Sequence, residues 1–233
     1  MNEENKPLII IGIVTILIIV GGIFLTSRQS SSPKSTPAPV SQEILVPEGS
    51  IKESTPSAQV TLVEFADFQC PTCKTVEPFI KQIRKDFAGQ LTYVYRYFPL
   101  DSHKNAVPSA LAAEAANQQG KFWQMHDMLY EKQDDWADSN TPKDIFIEYA
   151  KTLKLDIEKF KKDFDDPKTK EKVEKDKVDG YAAGVGGTPT FYINGTKIPA
   201  VPTYETLKSL IEQELPIASS SAVPQATASA TQK

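Results

Sequence analysis

The sequence has few cysteines and no surplus of positive charge. Its 233 residues include two cysteines and two histidines, and the formal net charge is −4. This acidic balance argues against a general nucleic-acid-binding protein, which would carry a basic surface. Two cysteines exclude a framework of several disulfides, and they exclude a closed four-cysteine zinc site within one chain. The hydrophobic content of 40% is nevertheless enough for a buried core.

One long apolar run lies near the N-terminus. Residues 8–25 read LIIIGIVTILIIVGGIFL, and eighteen helical residues span about 27 Å, close to the thickness of a hydrocarbon core. The run predicts a single transmembrane helix at residues 8–26, after a short segment at residues 1–7. A cleaved signal peptide is the alternative, but the run is long for one and no A-x-A-like site follows it. The flanking charges do not decide the orientation.

The composition divides the rest of the chain into three parts. Residues 27–57 are rich in Ser, Pro and Thr, which predicts a disordered stalk because such a segment has little apolar surface to bury. Residues 218–233 are rich in Ala, Ser, Thr and Gln and predict a disordered tail. The folded domain is therefore expected at residues 58–217.

Within this domain the hydrophobic pattern predicts an α/β fold. Short apolar and β-branched runs predict strands, apolar residues at helical spacing predict helices, and Asn-Gly predicts a hairpin turn. The predicted strands are 60–66, 91–98, 190–193 and a return strand from Lys197; the predicted helices are 71–87, several within about 103–184, and a last one from the cap Thr203 to about 215.

The sequence Cys70-Pro71-Thr72-Cys73 stands where the first strand gives way to the first helix. Unpaired N–H groups and the partial positive charge of a helix N-terminus stabilise a thiolate, which is the nucleophile of disulfide exchange. Cys70 is expected to be the more exposed cysteine and Cys73 the more buried one. The alternative is half of a metal site, but neither His103 nor His126 has a ligand-pair spacing, and we predict no metal.

Several motifs resemble the DsbA-like thiol–disulfide oxidoreductases, including the membrane-tethered disulfide-forming proteins of bacteria. The resemblance covers about residues 58–215, and outside it lie the apolar run, the stalk and the tail. The motifs are VTLVEFADFQCPTC at 60–73, YFPL at 97–100, AAEAA at 112–116, QGKFW at 119–123 and GTPTFYING at 187–195. The resemblance implies a thioredoxin fold with a helical insertion.

The resemblance also implies roles for individual residues. Cys70 resembles the attacking cysteine and Cys73 the resolving one, while Thr188-Pro189 resembles the cis-proline loop that faces the active-site disulfide. We expect Pro71, Thr72, Thr188 and Pro189 to contact the substrate. Glu64 is a lone acid in an apolar strand, where burial is costly, and the resemblance makes it a general base for Cys73. The alternative for Glu64 is a solvent-facing strand position, and Arg96 is a candidate partner for its charge.

The expected function is oxidation of cysteine pairs in exported proteins through a Cys70–Cys73 disulfide. No cofactor is expected. The domain is predicted to lie outside the cell membrane, as a monomer held by residues 8–26, and the resemblance suggests a membrane quinone-linked partner that restores the disulfide. The uncharged Thr72 predicts a weaker oxidant than a histidine there would give. A reductase or isomerase is the alternative, followed by a non-catalytic domain that binds a metal or a partner protein.

Overall fold

The computed structural model describes residues 39–216. The predicted segment 1–7, the transmembrane helix at 8–26, the start of the stalk and the tail at 218–233 lie outside the described residues. Within residues 39–216, no helix is long and apolar enough to span a membrane.

From residue 60 onwards, helices and strands follow one another in the predicted order. The strands are β1 (Ile51–Glu53), β2 (Val60–Ala66), β3 (Leu91–Tyr97), β4 (Thr190–Ile193) and β5 (Thr196–Lys197). The helices are α1 (Gln42–Leu45), α2 (Pro71–Asp86), α3 (Ala106–Asn117), α4 (Phe122–Glu131), α5 (Gln133–Trp136), α6 (Pro142–Thr152), α7 (Ile157–Asp165), α8 (Pro167–Ala183) and α9 (Tyr204–Glu214). Helices α3 to α8 form the predicted helical insertion between β3 and β4.

The strands form one mixed sheet in the order β1-β3-β2-β4-β5. Strands β2 and β3 run parallel, and the other neighbours run antiparallel. The tight turn between β4 and β5 is the predicted Asn194-Gly195, and both residues have positive φ, at +47° and +88°. Asparagine and glycine tolerate that conformation at low cost, which explains why they occupy a two-residue hairpin.

Side chains of each strand alternate between two cores of unequal size. The larger core packs α2, α9 and most of the insertion against the face of β2 that carries Leu62 and Ala66. The smaller core lies on the other face, where Val63 and Phe65 meet α1 and the end of α8. Glu64 shares its face with Leu62 because strand residues two apart point the same way. The acid is thereby directed into the larger core, towards α2.

A buried ion cluster fixes the second face of the sheet. Arg96 on β3 is 0% exposed and lies 2.6 Å from Asp179 and 3.1 Å from Asp176, both on α8. Its other terminal nitrogen donates to the carbonyl oxygens of Ile44 and Leu45 at 2.6 and 2.8 Å. Arg96 therefore joins α1, β3 and α8. The predicted pairing of Arg96 with Glu64 is wrong, because the strand alternation places the two side chains on opposite faces.

The N-terminal boundary of the folded domain also differs from the prediction. The composition assigns residues 27–57 to a stalk, yet residues 39–57 contain α1 and β1. Leu45 is completely buried, and β1 pairs with β3 along three residues. This segment is short and polar on average, so its few apolar positions do not stand out in the sequence. Pairing with strand β3 and hydrogen bonds from Arg96 hold this segment in place. Both partners are distant from it in sequence.

The Arg96 cluster predicts a large loss of stability on substitution. Arg96→Met removes the buried cation shared by Asp176 and Asp179 and leaves them only the more exposed Lys172 and Lys175 as cationic partners, so it should lower the free energy of unfolding by up to about 3–5 kcal/mol. Urea denaturation measures the loss. Lys143→Met is the control, because Lys143 and Asp165 form a surface ion pair at 2.6 Å that is worth at most about 1 kcal/mol. Equal losses in the two variants would contradict the assigned role of the buried cluster.

Candidate active site

The two cysteines lie at the junction between β2 and α2. Cys70 is the N-cap residue of α2, and Pro71 occupies the first turn, where no N–H is needed. Cys70 is 5% exposed and Cys73 is 1% exposed, whereas Pro71 and Thr72 between them are exposed. Both cysteines are therefore largely buried, and Cys70 is the more exposed of the two, as predicted.

Asp67 shapes the loop that leads into the first cysteine. Its carboxylate accepts hydrogen bonds from the backbone N–H groups of Gln69 and Leu100 at 2.8 and 3.0 Å. Nδ1 of His103 lies 2.6 Å from the same carboxylate, and the backbone N–H of Cys70 donates to the Asp67 carbonyl oxygen at 3.0 Å. The sequence analysis missed Asp67, although an acid at the end of an apolar strand is a signal for such a turn.

The helical insertion forms hydrogen bonds with the same loop from the other side. Gln133 at the start of α5 is buried, and its amide donates to the carbonyl oxygens of Phe68 and Cys70 at 2.6 and 3.2 Å. Gln69 donates to the carbonyl oxygen of Ala137 at 2.8 Å. These contacts fix the backbone around Cys70. No local sequence pattern predicts them, because the partners are more than sixty residues apart.

The loop before β4 closes the site opposite Cys70. The Thr188-Pro189 peptide bond is cis, and the thiol of Cys70 donates to the carbonyl oxygen of Thr188 over 3.4 Å. Pro189 is buried, whereas Thr188 is half-buried. The predicted residues Pro71, Thr72 and Thr188 thus border the exposed edge of Cys70.

The surroundings of Cys70 favour its thiolate. The pKa of Cys70 is lowered from 9.0 to about 5, chiefly by a hydrogen bond from Cys73, against the opposing effect of burial. Contact with Thr188 and the backbone N–H groups of Cys73 and Thr72 add to the lowering. The helix N-terminus therefore stabilises negative charge on the sulfur that is accessible.

The surroundings of Cys73 have the opposite effect. Burial, followed by its hydrogen bond to Cys70 and the charge of Glu64, raises the pKa of Cys73 well above its ordinary value. A buried sulfur without a helix N-terminus of its own prefers to hold its proton. The two thiols thus differ strongly in acidity, and one proton is exchanged at Cys73 whenever the disulfide opens or closes.

Glu64 lies behind the cysteines in the apolar interior. It is 2% exposed, so the solvent-facing alternative is wrong, and its carboxyl accepts a hydrogen bond from the Tyr93 hydroxyl at 2.5 Å. Burial raises the pKa of Glu64 to about 7, against the lowering effect of the Tyr93 hydrogen bond. A carboxyl with this pKa can both take and give a proton near neutral pH.

Solved structures with the same architecture include a thioredoxin-like oxidoreductase and a DsbA protein. BdbD from Bacillus subtilis, in its oxidised form, is 28% identical, with a TM-score of 0.66 over 76% of this chain and 95% of that one. A thioredoxin-like oxidoreductase from Silicibacter pomeroyi is 23% identical, with a TM-score of 0.64 over 75% and 97% of the two chains. Alpha-DsbA1 from Wolbachia pipientis is 20% identical, with a TM-score of 0.66 over 75% and 95%. The last two show the fold alone.

The chain also matches part of longer curated relatives, which are Na(+)/H(+) antiporters. The Na(+)/H(+) antiporter NhaA 3 of Salinispora tropica is 40% identical over 141 residues, which are 60% of this chain and 21% of that protein. The Na(+)/H(+) antiporter NhaA of Herminiimonas arsenicoxydans is 32% identical over 191 residues, which are 82% of this chain and 30% of that protein. The chain thus spans about a fifth to a third of these antiporters, and their name describes the whole proteins.

The family model described as thioredoxin matches residues 53–213, so the chain belongs to the thioredoxin family. The predicted resemblance to DsbA-like thiol–disulfide oxidoreductases is confirmed by this match and by the likeness to BdbD. The predicted class of enzyme, one that exchanges thiols and disulfides of proteins, is confirmed with it.

The acidity of Cys70 gives a direct test of the site. The thiolate absorbance of the reduced protein at 240 nm should titrate with a midpoint near pH 5. Cys73→Ala removes the largest stabilising contact and should raise that midpoint. Because the folded pKa lies below the unfolded value, the contribution of this thiolate to stability is complete above about pH 9 and is lost as the pH falls through about 5. A midpoint near 9 in the wild-type protein would contradict the assignment.

Proposed function

We propose that the protein is an extracytoplasmic oxidase that transfers its Cys70–Cys73 disulfide to cysteine pairs of exported proteins. The observation that carries the proposal is the opposite shift of the two thiols, with the pKa of Cys70 near 5 and that of Cys73 well above 9. A sulfur that is stable as a thiolate is a good leaving group. The reduced enzyme is then the favoured product, which drives the oxidising direction.

The reaction follows from the accessibility of the two sulfurs. A substrate thiolate attacks Cys70, the Cys70–Cys73 bond breaks, and its electron pair stays on Cys73. A mixed disulfide now joins the substrate to Cys70. A second substrate thiolate attacks the substrate sulfur of that bond, and the electron pair leaves on Cys70. The substrate has lost two electrons and gained a disulfide, and the enzyme has become the dithiol.

Glu64 is proposed as the general acid and base for the buried sulfur. When the disulfide opens, Cys73 takes a proton from Glu64, and when the disulfide forms again, Glu64 takes it back. The pKa of about 7 suits both directions. Tyr93 holds the carboxyl in place through its 2.5 Å hydrogen bond.

The substrate is expected to lie along the edge formed by Pro71, Thr72 and the Thr188-Pro189 loop. Thr188 is half-buried beside Cys70, so its backbone can pair with an extended segment that carries the attacking cysteine. Such pairing would add a strand to the protein and hold the mixed disulfide in a single orientation. It would favour extended, unfolded substrates over folded ones.

The cellular setting is part of the proposal. Anchoring through residues 8–26 would hold the domain, as a monomer, on the outer side of the cell membrane, where disulfides persist. A membrane quinone-linked protein is the proposed oxidant that restores the Cys70–Cys73 bond.

The reverse direction of electron flow is the second candidate. It is favoured by Thr72, which stands between the cysteines as an exposed, uncharged residue. A cation at that position would add to the stabilisation of the Cys70 thiolate. Without that cation the dithiol form is favoured less strongly. The reduction potential then lies closer to that of a reductase or an isomerase.

Substitution of each cysteine should have a different effect. Cys70→Ser removes the attacked sulfur and should abolish oxidation of a reduced, unfolded test protein. In Cys73→Ser, no second cysteine of the enzyme can attack the mixed disulfide at Cys70 and release the substrate. Mixed disulfides should therefore accumulate, and electrophoresis should show them as bands that a reductant removes.

The double variant Cys70→Ser, Cys73→Ser is the control and should capture nothing. Wild-type protein assayed with insulin separates the two directions, since an oxidase forms disulfides in reduced substrates faster than it reduces insulin. Failure of Cys73→Ser to capture any thiol substrate would contradict the mechanism.

A further inference from the structure

A second group of titratable side chains lies one helical turn beyond Cys73. Glu77 follows Cys73 by four residues on α2, so the two side chains share one face of the helix. Oε2 of the buried Glu77 lies 3.8 Å from Nε2 of His126 on α4. Nδ1 of His126 lies 3.1 Å from Oδ1 of Asp127, and Asp127 pairs at 2.6 Å with the exposed Lys81. The group thus runs from the interior to the surface.

Two polar atoms of this group are left without a hydrogen bond among residues 39–216, namely Nε2 of His126 and Oε1 of Glu77. His126 is completely buried. Aromatic rings surround its imidazole with centroids 5.1–5.7 Å away: Phe68, Tyr95, Phe122, Trp123 and Tyr130. An unpaired imidazole nitrogen in such surroundings is costly and calls for a functional explanation.

Arg84 connects this group to the general base. Its guanidinium lies 4.0 Å from Oε1 of Glu77 and 5.0 Å from the ring centroid of Tyr93, the residue whose hydroxyl bonds Glu64. Its remaining nitrogens donate to Glu53 of β1 at 2.6 and 2.9 Å. Arg84 therefore adjoins Glu77 and also Tyr93, the hydrogen-bond partner of Glu64. Because Glu53 already balances its positive charge, Arg84 does not hold Glu64 and Glu77 permanently in their ionised forms.

The electrostatic coupling supports this connection. Burial, and next the negative charge of Glu64, raise the pKa of Glu77 to about 8. Burial lowers the pKa of His126. At neutral pH Glu77 therefore carries a proton, His126 is neutral, and its hydrogen lies on Nδ1, where Asp127 accepts it. The lone pair of the unprotonated Nε2 then faces a protonated carboxyl, which is the arrangement needed for proton transfer from Glu77 to His126.

We propose that Glu77 and His126 form a proton path between the buried Glu64 and solvent at Asp127. The inference rests on the proposed function, in which Glu64 exchanges a proton with Cys73. It supplies what that mechanism lacks, because Glu64 is only 2% exposed and has little direct access to water.

The path works by one proton at each step and moves no electrons. During reoxidation, Glu77 gives its proton to Nε2 of His126, and His126 releases its Nδ1 proton to water beside Asp127. Glu77 then takes the proton that Glu64 received from Cys73. Reduction of the disulfide runs the same steps backwards. The 3.8 Å between Glu77 and His126 has to shorten at the moment of transfer, as hydrogen bonds in resting sites commonly do.

A metal ion is the competing occupant, since ligand atoms of Glu77, His126 and Asp127 all lie within 4.8 Å of one another. Charge argues against it. Lys81 pairs with Asp127 at 2.6 Å, and Glu77, with a pKa of about 8, carries a proton at neutral pH. An added divalent cation would meet no net negative charge.

Glu77→Gln tests the path with the least change in shape. An amide resembles the protonated carboxyl but cannot pass a proton on. At pH 7 the rates of reduction by dithiothreitol and of reoxidation by oxidised glutathione should fall by the same factor, at least about tenfold, while the equilibrium reduction potential stays unchanged. His126→Gln should give the same pattern. Glu114→Gln is the matched control, because Glu114 is a buried acid bonded to Tyr97 at 3.1 Å, and its rates should not change.

Three results would overturn the path. Wild-type rates in Glu77→Gln would do so, even if His126→Gln does not fold. A shifted reduction potential with unchanged rates would show a purely structural role. Stoichiometric Zn²⁺ binding that Glu77→Gln abolishes would identify the group as a metal site. A wild-type protein without any thiol exchange would instead contradict the proposed function itself.

Discussion

The position of Cys70 at the N-terminus of α2, facing the Thr188-Pro189 loop, is the constraint on which the rest of the site depends. It makes one sulfur acidic and accessible, and the helix then carries Cys73 into the interior, where its proton is held firmly. The loop that presents Cys70 has little regular structure of its own. It is held instead by Asp67 from one side and by Gln133 of the insertion from the other, so the insertion is part of the active site.

An unequal pair of thiols creates a need for proton transfer in the interior. Cys73 must gain or lose a proton in every cycle, and Glu64, whose charge acts on it, is almost completely buried. The buried Tyr93, Glu77 and His126 and the partly buried Arg84 are costly residues for a core, yet they form one connected group behind the cysteines. A structural domain of this size could use apolar side chains there. The polar interior is better understood as serving the redox chemistry at Cys70 and Cys73.

Strands β2 to β5, helices α2 and α9 and the cysteine site could be predicted from sequence because their signals are local. Val60–Ala66 is mostly apolar, Asn194-Gly195 is a hairpin pair, and Cys70 closely follows a strand. The roles of Gln133, Asp67 and Arg96 could not be predicted, since each depends on partners far along the chain. The same reason explains α1 and β1: only the edge of β3 and the buried Arg96 distinguish residues 39–57 from a polar stalk. Glu64 was predictable as a candidate, but its partner Tyr93 was not.

The equilibrium reduction potential against glutathione tests the central claim most directly, since it measures how far the Cys70 thiolate stabilises the reduced protein. The account predicts a value well above about −200 mV, towards the −120 mV or so of a strong protein oxidant. A value near about −270 mV, as in reducing thioredoxins, would show that the reduced state gains no such stabilisation. The oxidising direction would then be wrong, and the same site would serve a reductase.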